Sequence, residues 1–213
     1  MIITRAAIIP KIRTAIDDIA PSGVSDSFAT NTDDELWQAT FHAVEELSLE
    51  LPVYLLDISL ESLAGTYDSS KGCSIAALPD DYLRFISLQI NGCVGYLFEL
   101  IEPGSEAEKM QRSAWTRATA TKPKAMLDHD NQEKKAIVWW PGGDTHNTAI
   151  LAYIEDPALV TTATESVPTV PAITSSLRDE AERLVIYRAA AIFFEGKKEG
   201  EIAEKFRSLS NNI

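Results

Sequence analysis

The hydrophobic period of this chain changes twice, and that change limits the folds open to it. Between residues 73 and 154, apolar residues fall in short runs of strand length separated by Gly, Pro and Asn. Near both ends they recur at helical spacing. The helical positions are Ile8, Ile12 and Ile16 at one end and Leu177, Leu184 and Ala191 at the other. This order predicts an α+β fold, with a helical bundle formed by the N- and C-terminal helices and an inserted antiparallel β-region.

Two N-terminal helices are predicted. The first runs to Ala20, before Pro21-Ser22-Gly23. The second opens with a capping box formed by Thr32 and Glu35, and its acidic first turn suits the positive end of the helix dipole. It stops at Pro52. Its apolar face consists of Trp37, Phe41, Val44, Leu47 and Leu51.

The middle of the chain is predicted as strands. Asn91-Gly92 is a favoured hairpin turn, residues 130–135 form a second hairpin tip, and Ser105–Trp115 forms one or two helical turns. Leu60–Ser70 is expected to be a loop broken at Gly65. The predicted strands are Cys73–Leu78, Tyr82–Ile90, Val94–Ile101, Lys124–Asp128, Ala136–Trp140 and Thr148–Ile154.

The segment from Pro157 to Ser175 differs in composition, because it carries three prolines, many Thr and Val residues, and no Lys or Arg. It is expected to be an extended connector or exposed arm; the alternative is an irregular strand pair packed on the β-region. The predicted division is therefore residues 1–57 (N-terminal helices), 58–156 (β-region), 157–175 (arm) and 176–213 (C-terminal helices and tail).

The C-terminal part is predicted to be helical. Ser176 can cap a long helix, Gly196 can follow its end, and a further helix spans Glu199–Leu209. Its apolar face is short, so something must cover it, either the chain's own bundle or a partner. We hypothesise that this face and the tail bind a partner. The interface residues are Ile202, Phe206, Leu209 and Ile213.

The charge balance limits the partners of this chain. Nineteen Lys and Arg residues stand against 32 Asp and Glu residues, which gives a net charge of −13. Such a chain repels nucleic acid and anionic membrane surfaces. No signal peptide and no membrane span are expected. Cys73 and Cys93 are expected to be buried free thiols, although a disulfide between them stays open.

No catalytic, cofactor or metal site is predicted. His42, His129 and His146 lack the partners of a catalytic triad, and Gly142-Gly143 lacks the frame of a phosphate-binding loop. Asp128-His129-Asp130 has poor metal-ligand spacing, and adjacent acidic pairs point apart. Alternation in a strand turns one indole of Trp139-Trp140 outward, and Trp140 is taken as a further interface residue.

Several motifs together resemble the head-to-tail connector proteins of tailed bacteriophages, also called adaptor, head-completion or ring proteins. Thr32-Asp33-Asp34-Glu35-Leu36 opens a helix that ends at Pro52, like the family's acid-rich helix before A-P-x-x-L-L. Leu78-Pro79-Asp80-Asp81-Tyr82-Leu83-Arg84 is similar to its LPDDFLR turn. Lys122-Pro123 and Trp140-Pro141 resemble its KP and YP positions, and Ala189-Ala190-Ala191 fits its helical C-terminus. The nearest subgroup is that of the short-tailed phages, including crAss-like ones.

This resemblance implies a structural protein without catalysis. A homo-oligomeric ring of about twelve copies would sit under the portal protein at the head-tail interface of the virion and carry downstream tail or ring proteins. DNA would pass through its lumen without specific binding, and assembly would take place in the host bacterial cytoplasm. The alternatives are another virion component, such as a tail-tube or decoration subunit, and an enzyme whose site residues converge only in the fold.

Overall fold

The computed structural model describes residues 1–19, 32–113, 115–129, 134–164 and 167–211. They form two compact units. The helical unit comprises Met1–Asp57 and Glu155–Ile213, and the β-unit comprises Ile58–Ile154. The predicted α+β class, with helices at both ends flanking an antiparallel β-region, is confirmed. Among the described residues, no helix combines the length and the apolar character that a membrane span requires.

The helices are α1 (Arg5–Ile19), α2 (Thr32–Glu50), α3 (Glu106–Gln111), α4 (Glu182–Gly196) and α5 (Gly200–Ser210). The strands are β1 (Ile2–Thr4), β2 (Ser59–Ala64), β3 (Thr66–Asp68), β4 (Cys73–Ala77), β5 (Tyr82–Ile90), β6 (Lys124–His129), β7 (Lys135–Trp140), β8 (Thr148–Glu155), β9 (Ala158–Thr164) and β10 (Val167–Thr174).

Helix α4 is the centre of the helical unit, since it packs against α1, α2 and α5. Ala189, Ala190 and Ala191 are fully buried on it. Such small side chains allow the neighbouring helices to approach closely, and the larger residues of α1 and α2 fill the space around them. Trp37, Val44, Leu47 and Leu51 of the predicted α2 face are buried, and Phe41 is half-buried.

The segment predicted as an extended arm is instead a strand pair. β9 and β10 pair with each other, and β1 extends this sheet through Ile3↔Ile173 on the free edge of β10. The strand-pair alternative therefore describes the element, but the sheet lies in the helical unit and not on the β-region. The N-terminal strand β1 supplies backbone hydrogen bonds to β10, and the composition of residues 157–175 alone could not predict this pairing.

Two details of the C-terminal helices differ from the prediction. The hydroxyl of Ser176 accepts a hydrogen bond from the backbone N–H of Glu155, so it does not cap α4. A 3₁₀ turn at Asp179–Ala181 leads into that helix instead. Gly196 is its last residue, and the left-handed position after it is taken by Lys198, with φ of 64°.

The β-unit consists of two sheets, ordered β2-β8-β5 and β3-β4-β7-β6. Both sheets contribute to one core. The residues predicted as a loop at 60–70 form β2 and β3, which lie in different sheets and meet at Gly65. A Cβ on Gly65 would lie 2.5 Å from the Trp139 ring, so the chain can change sheets here only beside a glycine. The hairpin tip predicted at residues 130–135 lies partly outside the described residues.

The remaining strand predictions hold except one. Ile90–Cys93 forms the expected turn, with Gly92 at φ of 73° and a hydrogen bond from the Cys93 N–H to the Ile90 carbonyl. Its predicted partner strand, Val94–Ile101, is reduced to a single bridge between Leu88 and Leu97. The N–H of Val94 bonds to the Ala120 carbonyl, and Gly95 has φ of 80°, so a regular ladder cannot form.

Candidate functional site

The predicted interface residues of α5 lie in the core of the helical unit. Phe206 is fully buried, and its ring stacks on Phe194 of α4 with the centroids 5.7 Å apart. Ile202 is also buried, Leu209 is half-buried, and Ile213 lies outside the described residues. The chain itself covers this face, because α4 and α5 pack together. This corrects the assignment of Ile202 and Phe206 as partner-binding residues.

A buried arginine fixes the end of α5. Arg188 of α4 donates to Glu46 (2.7 Å) and Glu50 (2.9 Å) on α2, and to the Ser210 hydroxyl (3.0 Å) at the end of α5. Burial by itself would lower the pKa of Arg188, but the hydrogen bonds and charges of Glu50 and Glu46 outweigh it and raise that pKa. Arg188 therefore stays charged and joins three helices. The only sign in the sequence was a charged residue on the apolar stripe of α4.

The two adjacent tryptophans of β7 are both buried. Trp139 faces the core between the two sheets, and Trp140 faces the opposite side, among Cys73, Met126 and Val138. They do point in opposite directions, as alternation requires. However, only 4% of Trp140 is exposed, so its assignment as an interface residue is corrected. The sequence could not show that this second face of the sheet is also covered.

His146 is the histidine that lies beside a potential nucleophile. Its Nδ1 is 2.8 Å from the Asn91 carbonyl and 3.8 Å from Cys93 Sγ. Because a carbonyl can only accept, Nδ1 carries the proton and cannot act as a base toward the sulfur. Burial also raises the pKa of the Cys93 thiol. This arrangement supports the turn at Gly92 and does not activate a thiolate.

The other two histidines are exposed. His42 pairs with Glu45 on α2 at 3.0 Å, and His129 lies at the end of β6. In the described part of the chain, no group of three or more His, Cys, Asp or Glu side chains is placed to hold a metal ion.

A cleft of about 1090 Å³ lies on the outer face of the β3-β4-β7-β6 sheet, with α3 at its side. Two ion pairs lie along it, Asp68 with Lys71 and Glu108 with Arg112. A hydrogen bond from the Ser70 hydroxyl is the main cause that lowers the pKa of Asp68, and the Gly104 N–H is the main cause for Glu108. Both carboxylates are thus held ionised, whereas a general acid needs a raised pKa.

A smaller cleft, of about 360 Å³, lies beside it. We call it the aromatic–arginine cleft, after Tyr67, Trp115 and Arg117. Gly72 and Gly142 also line it. Trp115 is 96% exposed. Arg117 is the one arginine of the described chain whose guanidinium has neither a hydrogen bond nor an ion pair. The cleft therefore offers ring faces and one unpaired positive charge.

A second exposed feature of the β-unit is the apolar ridge, formed by Val94, Tyr96 and Phe98. These alternate side chains are 58–69% exposed, and the rings of Tyr96 and Phe98 lie 6.2 Å apart. Leu97 and Leu100 pack inward on the core. The alternation of V-x-Y-x-F predicted only a strand, although the lack of polar residues on its outer side was a signal for an interface.

Comparison of the chain with family models and with curated protein sequences finds no match.

Proposed function

We propose that this chain is a structural subunit of a phage head-to-tail connector ring, which sits under the portal, extends the DNA channel and provides the platform for the tail. The observation that carries the proposal is the position of the connector-like motifs. They lie at the joints of the architecture: the start of a helix, the turn into a strand, and the ends of strands. Residues at such positions determine the fold. Ring subunits that share a fold would therefore keep these residues and resemble one another at these positions.

The individual positions support this interpretation. Thr32 begins α2, and Pro52 lies two residues after its last residue, Glu50. The N–H of Tyr82 bonds to the Pro79 carbonyl, so residues 78–81 form the turn into β5 and residues 82–84 begin that strand. Pro123 precedes β6, and Pro141 follows β7.

Exposed apolar surface also favours a subunit of an assembly. The apolar ridge and the aromatic–arginine cleft expose four aromatic side chains on the β-unit alone: Tyr67, Tyr96, Phe98 and Trp115. Contiguous exposed apolar patches commonly mark protein interfaces, and aromatic residues and arginine are enriched there.

The net charge suits the lumen of such a ring. Twelve copies at −13 each would carry about −156. Lysine and arginine contacts would hold DNA by releasing counterions, whereas an acidic wall repels the phosphates. DNA could therefore slide through without adhering.

Imaging of the purified protein by electron microscopy, with its mass measured under native conditions, tests the proposal. We expect closed rings of about twelve copies, formed alone or on addition of the portal protein. A protein that stays monomeric under both conditions contradicts it. Copy number in the purified virion separates a connector from a tail-tube or decoration subunit, because those are present in many more copies.

A further inference from the structure

We infer that the apolar ridge of one copy docks into the aromatic–arginine cleft of the next copy, so that Glu99 or Glu102 pairs with Arg117. This inference rests on the proposed ring function and names the surface through which neighbouring subunits would join. Both surfaces belong to the β-unit, and each presents what the other lacks.

The two surfaces carry complementary charges. Glu99 and Glu102 follow the ridge, are exposed, and have no ion pair or side-chain hydrogen bond among the described residues. Arg117 is the unpaired arginine of the cleft. Subunits with a charge of −13 repel one another. Local pairing of this kind would offset that repulsion at the contact and would favour one register over others.

The ridge and the cleft also match in shape and in chemistry. The ridge projects two aromatic rings, and the cleft is an open concavity between Tyr67 and Trp115. Each large aromatic side chain can bury about 150–250 Å². Four of them would supply the apolar centre of an interface of standard size, about 1,600 Å² in total. The surrounding surface of the β-unit would supply the rim.

The exposed ridge does not fill the cleft of its own copy. The ridge segment is held at both ends and in its middle. The N–H of Val94 bonds to the Ala120 carbonyl at 2.7 Å, the N–H of Ile101 to the Ala125 carbonyl at 2.8 Å, and Leu97 exchanges two backbone bonds with Leu88. The segment is thus fixed in an outward position and ready to meet a second molecule.

Two different patches in contact make a head-to-tail interface. Repetition of such a contact produces a ring when the rotation closes. A nucleic acid is the less suitable occupant, because one arginine must act against the repulsion of a strongly acidic chain. Added single-stranded DNA should therefore not protect the cleft.

Tryptophan fluorescence provides a direct test. Trp115 is exposed, whereas Trp37, Trp139 and Trp140 are buried, so acrylamide quenching of the disassembled protein reports on Trp115. We expect quenching of the wild-type protein to fall several-fold on assembly and its emission to shift to shorter wavelength. Quenching that is equally strong in assembled rings overturns the inference and leaves the proposed ring intact.

Charge reversal tests the pairing. We expect the Arg117→Glu variant to need at least a tenfold higher protein concentration for assembly than the wild type. We expect the same of the double variant Glu99→Arg with Glu102→Arg. The combination of all three changes should restore it. Lys205→Glu and the pair Glu201→Arg with Glu204→Arg are matched controls, since they change the net charge equally on the exposed side of α5. Circular dichroism melts should show that every variant folds.

The outcomes separate this contact from the ring proposal. Rings formed equally well by Arg117→Glu, or no recovery in the triple variant, overturn the inference alone. A wild-type protein that forms only closed dimers with Trp115 protected supports the ridge–cleft contact and contradicts the ring. A wild-type protein that never associates contradicts both.

Discussion

Arg188 is the one charged side chain among the described residues that is buried, and it joins the ends of two helices to a third. A buried charge is tolerated only where its hydrogen-bonding groups are satisfied. Glu46, Glu50, Ser210 and Asn211 all accept from this guanidinium. The C-terminal end of α5 is therefore attached by polar contacts as well as by Phe206.

Replacement of Arg188 by Ala should lower the free energy of unfolding by about 3 kcal/mol, because several charge-assisted hydrogen bonds and a buried stem are lost together. Urea unfolding followed by circular dichroism measures this. Arg183→Ala is the matched control on the same helix, where the exposed side chain contacts Tyr187 alone, covering its ring and donating a hydrogen bond to its hydroxyl at 3.2 Å. Its loss should stay below about 1 kcal/mol, and equal losses in the two variants would refute the role given to Arg188.

Cys73 makes stability depend on pH at the alkaline end. Burial raises the pKa of this thiol to about 11, whereas a thiol in an unfolded chain ionises near about 8.5. The folded state keeps its proton longer, so the stabilisation is complete below about pH 8.5 and is lost as the pH rises toward about 11. We expect about 2–3 kcal/mol of extra loss over this range.

The control for this pH dependence is Cys73→Ala, which removes the titrating group. Tyr82 also has a raised pKa, of about 12, because of burial, and it acts in both proteins. The difference between the two stability curves therefore isolates Cys73. Parallel curves between pH 9 and 11 would show that the thiol is not protected as described.

At the scale of elements, two backbone segments of the β-unit approach each other closely at the end of β7. A Cβ on Gly142 would lie 2.3 Å from the carbonyl carbon of Cys73, and the Gly142 N–H bonds to the Gly72 carbonyl at 3.0 Å. No side chain fits between these two backbones. Only glycine lets the loop after β7 lie on the start of β4.

Gly142→Ala should therefore destabilise the protein by about 2–4 kcal/mol, since the backbone must move to make room. Thermal melts measure the change. Gly196→Ala is the contrasting variant, because a Cβ there meets nothing within 4 Å at the end of α4. It should stabilise the protein by about 0.4–1 kcal/mol. A neutral Gly142→Ala would contradict the close approach.

Local patterns predicted the elements that local forces determine. Helical periodicity identified α1, α2, α4 and α5, and alternation identified β4 to β8 within a few residues of their observed bounds. Errors arose where a distant backbone group decides the structure. The Ala120 carbonyl accepts a hydrogen bond from the Val94 N–H, the Glu155 N–H donates one to the Ser176 hydroxyl, and β1 pairs with β10.

The exposure of individual side chains was the property least predictable from the sequence, and it determined which residues form the candidate site. Phe206 packs on Phe194 of the preceding helix, and Trp140 lies among residues of β4 and β6, so their burial depends on tertiary packing that the local pattern does not give. Trp115 ends the stretch predicted only as one or two helical turns, and Arg117 lies just beyond it. Their exposure and the missing partner of Arg117 follow from tertiary placement.

At the scale of the whole molecule, the proposed role joins three properties that a single subunit would not need together. They are a strong negative charge, a helical unit that closes on itself through its own termini, and an apolar surface left exposed on the β-unit. In a ring, the charge would face DNA and the apolar surface would join copies. The ridge–cleft contact proposed above would place the surface that joins copies on the β-unit.

The most direct test of this account is the native mass of the purified protein, measured alone and with the portal protein. One chain has a mass of 23.4 kDa, so a twelvefold ring would have a mass of about 280 kDa. We predict a species at or near that mass, in which Trp115 is protected from quencher. A single species of 23.4 kDa under both conditions, with Trp115 fully accessible, would contradict it.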